Sequence, residues 1–215
     1  MYKPIILSKN IQRRCNFWNC KSHKIGRDVY FYSELEYENW INVETDPKVV
    51  DFCEKPKKVR GVFEGRVYES TFDMWIKWKD GQEEFIEIVY DKTLKTSQLK
   101  QRKIKIQENW CNENNFRHRI LTEYNIRIHP KLQNLKIILP YIKDFNNLNE
   151  IDLYKVKGII KDEQQTLKEI IGKIDSIDRF SFFKSIFFLY YSGLIDMDID
   201  DTPISFNSKV WLKIE

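Results

Sequence analysis

Residues Tyr68 to Asp91 read YESTFDMWIKWKDGQEEFIEIVYD. Two runs rich in aromatic and β-branched residues flank Asp80-Gly81, a pairing that favours a tight hairpin turn because glycine tolerates positive φ. The stretch predicts two antiparallel strands. Within them Asp73 stands among Phe72, Met74 and Trp75, and Glu87 among Ile86, Ile88 and Val89. A carboxylate in apolar surroundings is costly unless a cation, a metal ion or hydrogen-bond donors compensate it. Two such acids on neighbouring strands point to a divalent-metal site, and the side-chain period of two lets Asp73 and Glu87 meet.

Upstream of the hairpin, Ser33-Glu34-Leu35-Glu36 has the form of a helix start, with Ser33 as N-cap and Glu36 three residues on, as in a capping box. Asp46 to Pro56 reads as a turn and a short strand closed by the proline. Lys57 to Phe63 and Val67 to Thr71 read as strands about a Glu64-Gly65 turn. Downstream, Leu94 to Asn115 carries Leu99, Ile106 and Trp110 among many cations and predicts one amphipathic helix. Its Lys95, Lys100, Arg102, Lys103 and Lys105 are candidates for DNA phosphate contacts, against a plain solvated face. Arg117 to Leu121 predicts a further strand, and 125–142 a helical or irregular connection through Pro130.

Lys143 to Glu150 (KDFNNLNE) is a polar linker, and the chain beyond it is mostly helical: 151–160, 166–174 and 178–191. Leu194 to Ile199 alternates as a strand, and Asp200 to Pro203 turns into Ile204-Ser205-Phe206. Three helices and a hairpin predict a winged-helix-like module. Its wing is acidic (Asp196, Asp198, Asp200, Asp201), which disfavours phosphate contact and favours protein docking; these acids and Asp144 are expected to be solvated. The expected class is α/β (α+β), with domains at 1–145 and 150–215.

Composition sets the outer bounds. A chain of 215 residues holds one large domain or two smaller ones. The net charge of +4 is compatible with nucleic acid without demanding it. Four cysteines in this length do not suggest a disulfide framework, and no basic-then-apolar leader opens the sequence. The longest apolar run, Ile186 to Tyr191, falls far short of the roughly 20 residues a spanning helix needs. The expectation is a cytoplasmic protein without a membrane segment. The first thirty residues interleave Lys3, Lys9, Arg13, Arg14, Lys21, Lys24 and Arg27 with Phe17, Trp18 and Tyr30, which fits either a phosphate-touching arm or a tail packed through Trp18. Cys15, Cys20 and His23 fall short of the four ligands of a structural zinc site. His23, His118 and His129 form no cluster that would support histidine catalysis.

Read together, SELE at 33–36, DPKVVDFCEKP at 46–56, STFDMW at 70–75, EFIEIVY at 84–90 and LTEYNIRIHPKLQNLKIILPYI at 121–142 resemble TnsA, the endonuclease subunit of heteromeric cut-and-paste transposases. The tail SGLIDMDIDDTPISFNSKVWL is similar to that family's C-terminal end. The resemblance implies a restriction-endonuclease-like N-terminal domain with a Mg²⁺ site, Mn²⁺ substituting, that cuts transposon-end DNA at its 5′ ends in a bacterial cytoplasm. It also implies two partners: a DDE-type transposase that cuts and joins the 3′ ends, and an AAA+ regulator docking on the C-terminal region. Carried over residue by residue, the acids fall on Glu36, Asp73 and Glu87, and the carbonyl of Ile88 completes the metal set. Such oxygen donors suit Mg²⁺.

The family's lysine falls on Val89, and Phe72 replaces the proline frequent before the strand acid in the wider fold. An ammonium about 4 Å from a developing charge contributes roughly 4 kcal/mol at a surface-like dielectric, up to about a thousandfold in rate. Another cation filling that space is expected: Lys77 first, with Lys92, Lys100 and Lys103 as alternatives. The alternative function is a weakened or inactive nuclease fold that links transposase, regulator and DNA. A host-defence or repair nuclease of the same fold is the third reading.

Overall fold

The turn at Asp80-Gly81 forms as predicted: Gly81 takes φ +84° and its N–H donates to the Trp78 carbonyl at 3.0 Å. Around it, β6 (Met74–Trp78) and β7 (Glu83–Ile88) pair antiparallel, with Trp75 opposite Phe85 and Met74 opposite Ile86. This is a computed structural model describing residues 2–6 and 16–213. On either side of the hairpin lie β3 (Val49–Glu54), antiparallel to β6, and β8 (Arg117–Leu121), parallel to β7, giving the order β3-β6-β7-β8. A parallel neighbour requires a crossover, and α2 (Asp91–Thr96) and α3 (Gln98–Glu113) supply it.

The single helix expected from Leu94 to Asn115 is two. Ser97 is extended (φ −95°, ψ 99°) and its hydroxyl accepts the Lys100 N–H, so the chain stops and restarts there. A Ser at an N-cap satisfies one of a helix's orphan donors, which the hydrophobic period alone does not report. From α3, Ile106 and Cys111 pack with Cys53, Val59, Phe72, Trp75 and Phe85, and Trp110 and Phe116 lean against the cluster. β4 (Lys58–Phe63) and β5 (Arg66–Thr71) form a separate ribbon closed by Glu64 and Gly65, both at positive φ. Upstream, β1 (Trp18–Lys21) pairs with β2 (Asp28–Phe31), and α1 (Glu34–Thr45) runs past the predicted start with Leu35, Trp40 and Ile41 buried. α4 (Glu123–Ile126) closes this region.

The chain divides into two compact units: Met1–Glu44 with Lys48–Arg127, and Thr45–Pro47 with Ile128–Glu215. The boundary expected at 145–150 thus lies earlier. The reason is α5 (Lys131–Ile142), which buries Leu132, Leu135, Ile138, Leu139 and Ile142 and packs on α8 (Arg179–Tyr191), where Tyr141 meets Phe187 edge-on. Nor is 143–150 a plain linker, because a 3-10 turn at Phe145–Asn147 buries Phe145. α6 (Glu150–Ile159), β9 (Gln165–Thr166), α7 (Leu167–Ile171), α8, β10 (Ile195–Met197) and β11 (Lys209–Leu212) complete the second unit, with strand order β10-β11-β9.

The strand partner of β10 is Lys209–Leu212, not Ile204-Ser205-Phe206, because the turn between them is longer than its Asp and Pro residues suggested. Asp144 and the acidic residues of this region are not simply solvated: Asp144 pairs with Lys184 at 2.5 Å, Asp200 with Lys131 at 3.0 Å, and Asp198 accepts the Lys209 N–H. Among the described residues no helix is long and apolar enough to cross a membrane.

Candidate active site

Asp73 precedes β6 by one residue and is fixed through both backbone and side chain. Its N–H donates to the Ile86 carbonyl at 3.0 Å, and its carbonyl accepts the Lys55 N–H at 2.9 Å. Oδ2 accepts the Ile88 N–H at 2.7 Å, and Oδ1 faces the Lys55 ammonium at 2.5 Å. Glu36 lies in the first turn of α1, where Ser33 caps its N–H at 3.2 Å. Its carboxylate departs from the reciprocal bond of a capping box: Oε2 accepts from Tyr32 N–H, and Oε1 meets the same Lys55 ammonium at 3.2 Å. Glu87, the penultimate residue of β7, accepts a 2.6 Å bond from Gln107 Nε2 and forms an ion pair with Lys100, both from α3. Gln107 also donates to Ser70 Oγ at 2.9 Å, and its carbonyl oxygen stands 3.1 Å from His118 Nε2.

These groups are buried: Glu36 is 9% exposed, Lys55 and Asp73 7%, and Glu87 2%. Burial, reinforced by the Asp73 charge, pushes the Glu87 carboxyl up to about 7 against the pull of Lys100 and Gln107. Glu36 is raised as well, by burial first, with Lys55 opposing. Burial works against the charged form of Lys55, yet the charges of Asp73 and Glu36 outweigh it and hold the ammonium above its ordinary range. Lys100 follows the same pattern with Glu87. Opposite charge within a few ångströms favours the charged form, and here three acids and two ammonium groups compensate one another.

The structure brings Glu36 and Asp73 onto one ammonium and sets Glu87 within electrostatic reach of Asp73, with the backbone of Ile88 bonded to Asp73 through its N–H. Lys77 is not there. It lies four residues along β6, opposite Asp51 and Glu83, roughly 13 Å from Asp73 at about 3.3 Å per residue. The strand runs away from the acids towards its turn. Of the alternatives, Lys100 is the one that meets an acid, so it faces the site and not an outer phosphate-binding face. Arg102 is tied to Glu64 at 3.0 Å and to the Tyr68 hydroxyl, Lys95 to Asp91 and Lys105 to Glu108, while Lys103 is half-buried. Val89 is 5% exposed and its N–H donates to the Leu121 carbonyl. Lys9, Arg13, Arg14 and Cys15 lie outside the described residues.

Two partners escaped the sequence reading. Lys55 sits at φ +44°, in the left-handed region, immediately before Pro56. A residue before proline ordinarily takes extended backbone, so no local signal foretold it. Gln107 is fully buried on a helix whose pattern marks polar residues as outward. Its one cue is a place three residues after Ile104 and four before Cys111, on the face those buried residues share.

The donor set fits a hard divalent ion. Asp73 Oδ1 and Glu36 Oε1 already converge on one cation, the Lys55 ammonium, and Mg²⁺ is commonly held by one or two carboxylates with waters and substrate oxygens. Among the described residues no three His, Cys, Asp or Glu side chains close around one point. The fit is therefore to a two-carboxylate site with Glu87 beside it.

Residues 46–123 match the family model described as TnsA-like endonuclease N terminal. No curated protein matches the sequence. The matched segment contains Lys55, Asp73, Glu87, Val89, Lys100, Gln107 and His118, while Glu36 lies ten residues before it. The mixed α/β unit around the β3-β6-β7-β8 sheet is restriction-endonuclease-like.

Proposed function

We propose, for a chain that carries a TnsA-like endonuclease domain over residues 46–123, that it hydrolyses phosphodiester bonds in transposon-end DNA, at the 5′ ends, with a divalent ion held by Glu36 and Asp73. The observation that carries this reading is that buried Glu36 and Asp73 share the Lys55 ammonium, while buried Glu87, paired with Lys100, feels the Asp73 charge. Carboxylates gathered in one buried place destabilise a fold unless they serve a cation.

An ion held there would polarise a phosphoryl oxygen and lower the pKa of a bound water. The chain's own residues prepare the rest. The Ile88 N–H fixes Asp73 Oδ2, so Oδ1 is the oxygen that points into the site. Gln107 holds one oxygen of Glu87 and leaves the other to Lys100. Lys100 stands in for the ammonium that Val89 lacks, reaching the site from α3 instead of β7, and offers positive charge to a phosphate group.

The transposition partners follow the family resemblance: a DDE-type transposase and an AAA+ regulator. The helix and strand order of α6 to β11 supports a winged-helix-like reading of the second unit, and its acidic residues favour protein over DNA as what docks there. One observation favours the alternative of an inactive assembly factor: Val89 is buried and apolar at the position of the family's lysine.

The test is strand-specific cleavage of transposon-end DNA by the protein with its transposase partner in Mg²⁺ or Mn²⁺. Wild type is expected to cut the 5′ strand and Asp73→Ala to lose cutting by at least about a hundredfold. Equal cutting by Asp73→Ala overturns the reading, and no cutting by wild type moves the protein to the assembly role.

A further inference from the structure

Lys55 is joined to the site in an unusual way. Its ammonium lies 2.5 Å from Asp73 Oδ1 and 3.2 Å from Glu36 Oε1, and 5.8 Å from the centre of the Tyr32 ring. Its backbone is clamped on both sides, the N–H by the Asp73 carbonyl and the carbonyl by the Ile5 N–H, each at 2.9 Å. Between these bonds the residue takes φ +44°, a strained conformation for a side-chain-bearing residue, found where surrounding structure imposes it. The result is a buried cation on the two carboxylate oxygens that a metal ion would use.

We propose that Lys55 is a resident cation of the site, which neutralises Glu36 and Asp73 and competes with the divalent ion for them. It rests on the metal-dependent nuclease function only for the class of ion. The ammonium stands between Asp73 Oδ1 and Glu36 Oε1, the place an ion ligated by both oxygens would take, so entry of the ion turns the ammonium out. Lys55 thereby sets a threshold of metal concentration and keeps the acids compensated below it. Lys100 has a different place: its partner is Glu87, so its charge does not compete for the same oxygens.

The experiment is titration of the full chain with Mn²⁺, reading free ion by electron paramagnetic resonance, for wild type, Lys55→Met, Lys55→Arg and Lys100→Met. Methionine at φ +44° is strained as lysine is, so the comparison isolates the charge. Lys55→Met is expected to bind at least about tenfold more tightly, with Lys55→Arg close to wild type and Lys100→Met moving affinity less than Lys55→Met. Affinity unchanged or weakened in Lys55→Met overturns the proposal, as does an absence of Mn²⁺ binding in every protein.

Should Lys55→Met not fold, acetylation of wild-type lysines followed by mass spectrometry decides. Lys55 is expected to be protected alone and modified several times faster with saturating Mn²⁺; equal protection with the ion bound refutes the competition. Tighter Mn²⁺ binding by Lys55→Met in a protein that cuts no DNA would sustain this inference while removing the nuclease function.

Discussion

Lys100, three residues into α3, forms an ion pair with Glu87, the penultimate residue of β7 and two residues before Val89. The family's lysine position and the cation that serves the acid are thus on different elements. An ammonium can reach a fixed point in space from more than one place on the chain, and α3 crosses close enough to β7 for a four-carbon stem to do so.

Replacing that cation tests the role directly. Lys100→Met is expected to lower single-turnover cleavage by about tenfold to a thousandfold, while Lys77→Met, whose side chain is at the far end of β6, changes it by less than about twofold. Rates in saturating metal separate this from weakened ion binding. A full-rate Lys100→Met enzyme would remove Lys100 from the chemistry.

Restoring lysine just after β7, at position 89, is expected to fail. Val89 is buried beside acids that Lys55 and Lys100 already compensate, so Val89→Lys adds a third ammonium without a partner. Burying an unpaired charge is costly. Lower thermal stability and no gain in cleavage are predicted; a faster enzyme would show that neither native lysine fills the role.

Gln107 gives a prediction about stability. Gln107→Leu removes donors to Glu87 and Ser70 and the acceptor facing His118. Loss of a hydrogen bond to a charged buried group costs about 2 kcal/mol, or about 4–8 °C in a chain of this size. The first unit holds five of the six tryptophans (Trp18, Trp40, Trp75, Trp78 and Trp110). Tryptophan fluorescence therefore reports this transition, and a shift under about 1 °C would contradict the network.

His118 supplies a pH dependence. Burial lowers its pKa below the ordinary histidine value, with the Glu108 charge opposing, and its ring lies beside Phe72 and Gln107. The folded state is therefore the weaker proton binder. Above the unfolded pKa of 6.5 both states carry neutral His118 and it contributes no slope; as pH falls below that value the unfolded state takes up the proton first and stability is lost. Denaturation at stepped pH is expected to show a smaller loss below pH 6.5 in His118→Gln than in wild type. Equal losses would count against a neutral buried His118.

Much of the first unit was legible in the sequence because its signals are local. The Asp80-Gly81 turn, the period-two runs around it and the Ser33 cap each depend on a few neighbouring residues, and each formed where it was read. Glu36, Asp73 and Glu87 stood out because acids in apolar runs are costly whatever the fold.

Their partners were decided by tertiary structure alone. Lys55 pairs with Asp73 across 18 residues and with Glu36 across 19, through a backbone turn its own neighbours disfavour, and Lys100 reaches Glu87 across 13. The same holds for the boundary near Arg127: the polar run at 143–150 suggested a linker, but α5 is claimed by the core it shares with α8. A sequence displays which groups need compensation, since burial and charge belong to the residue. Which distant group provides it depends on where packed helices and strands cross, and that exists only once the chain has folded.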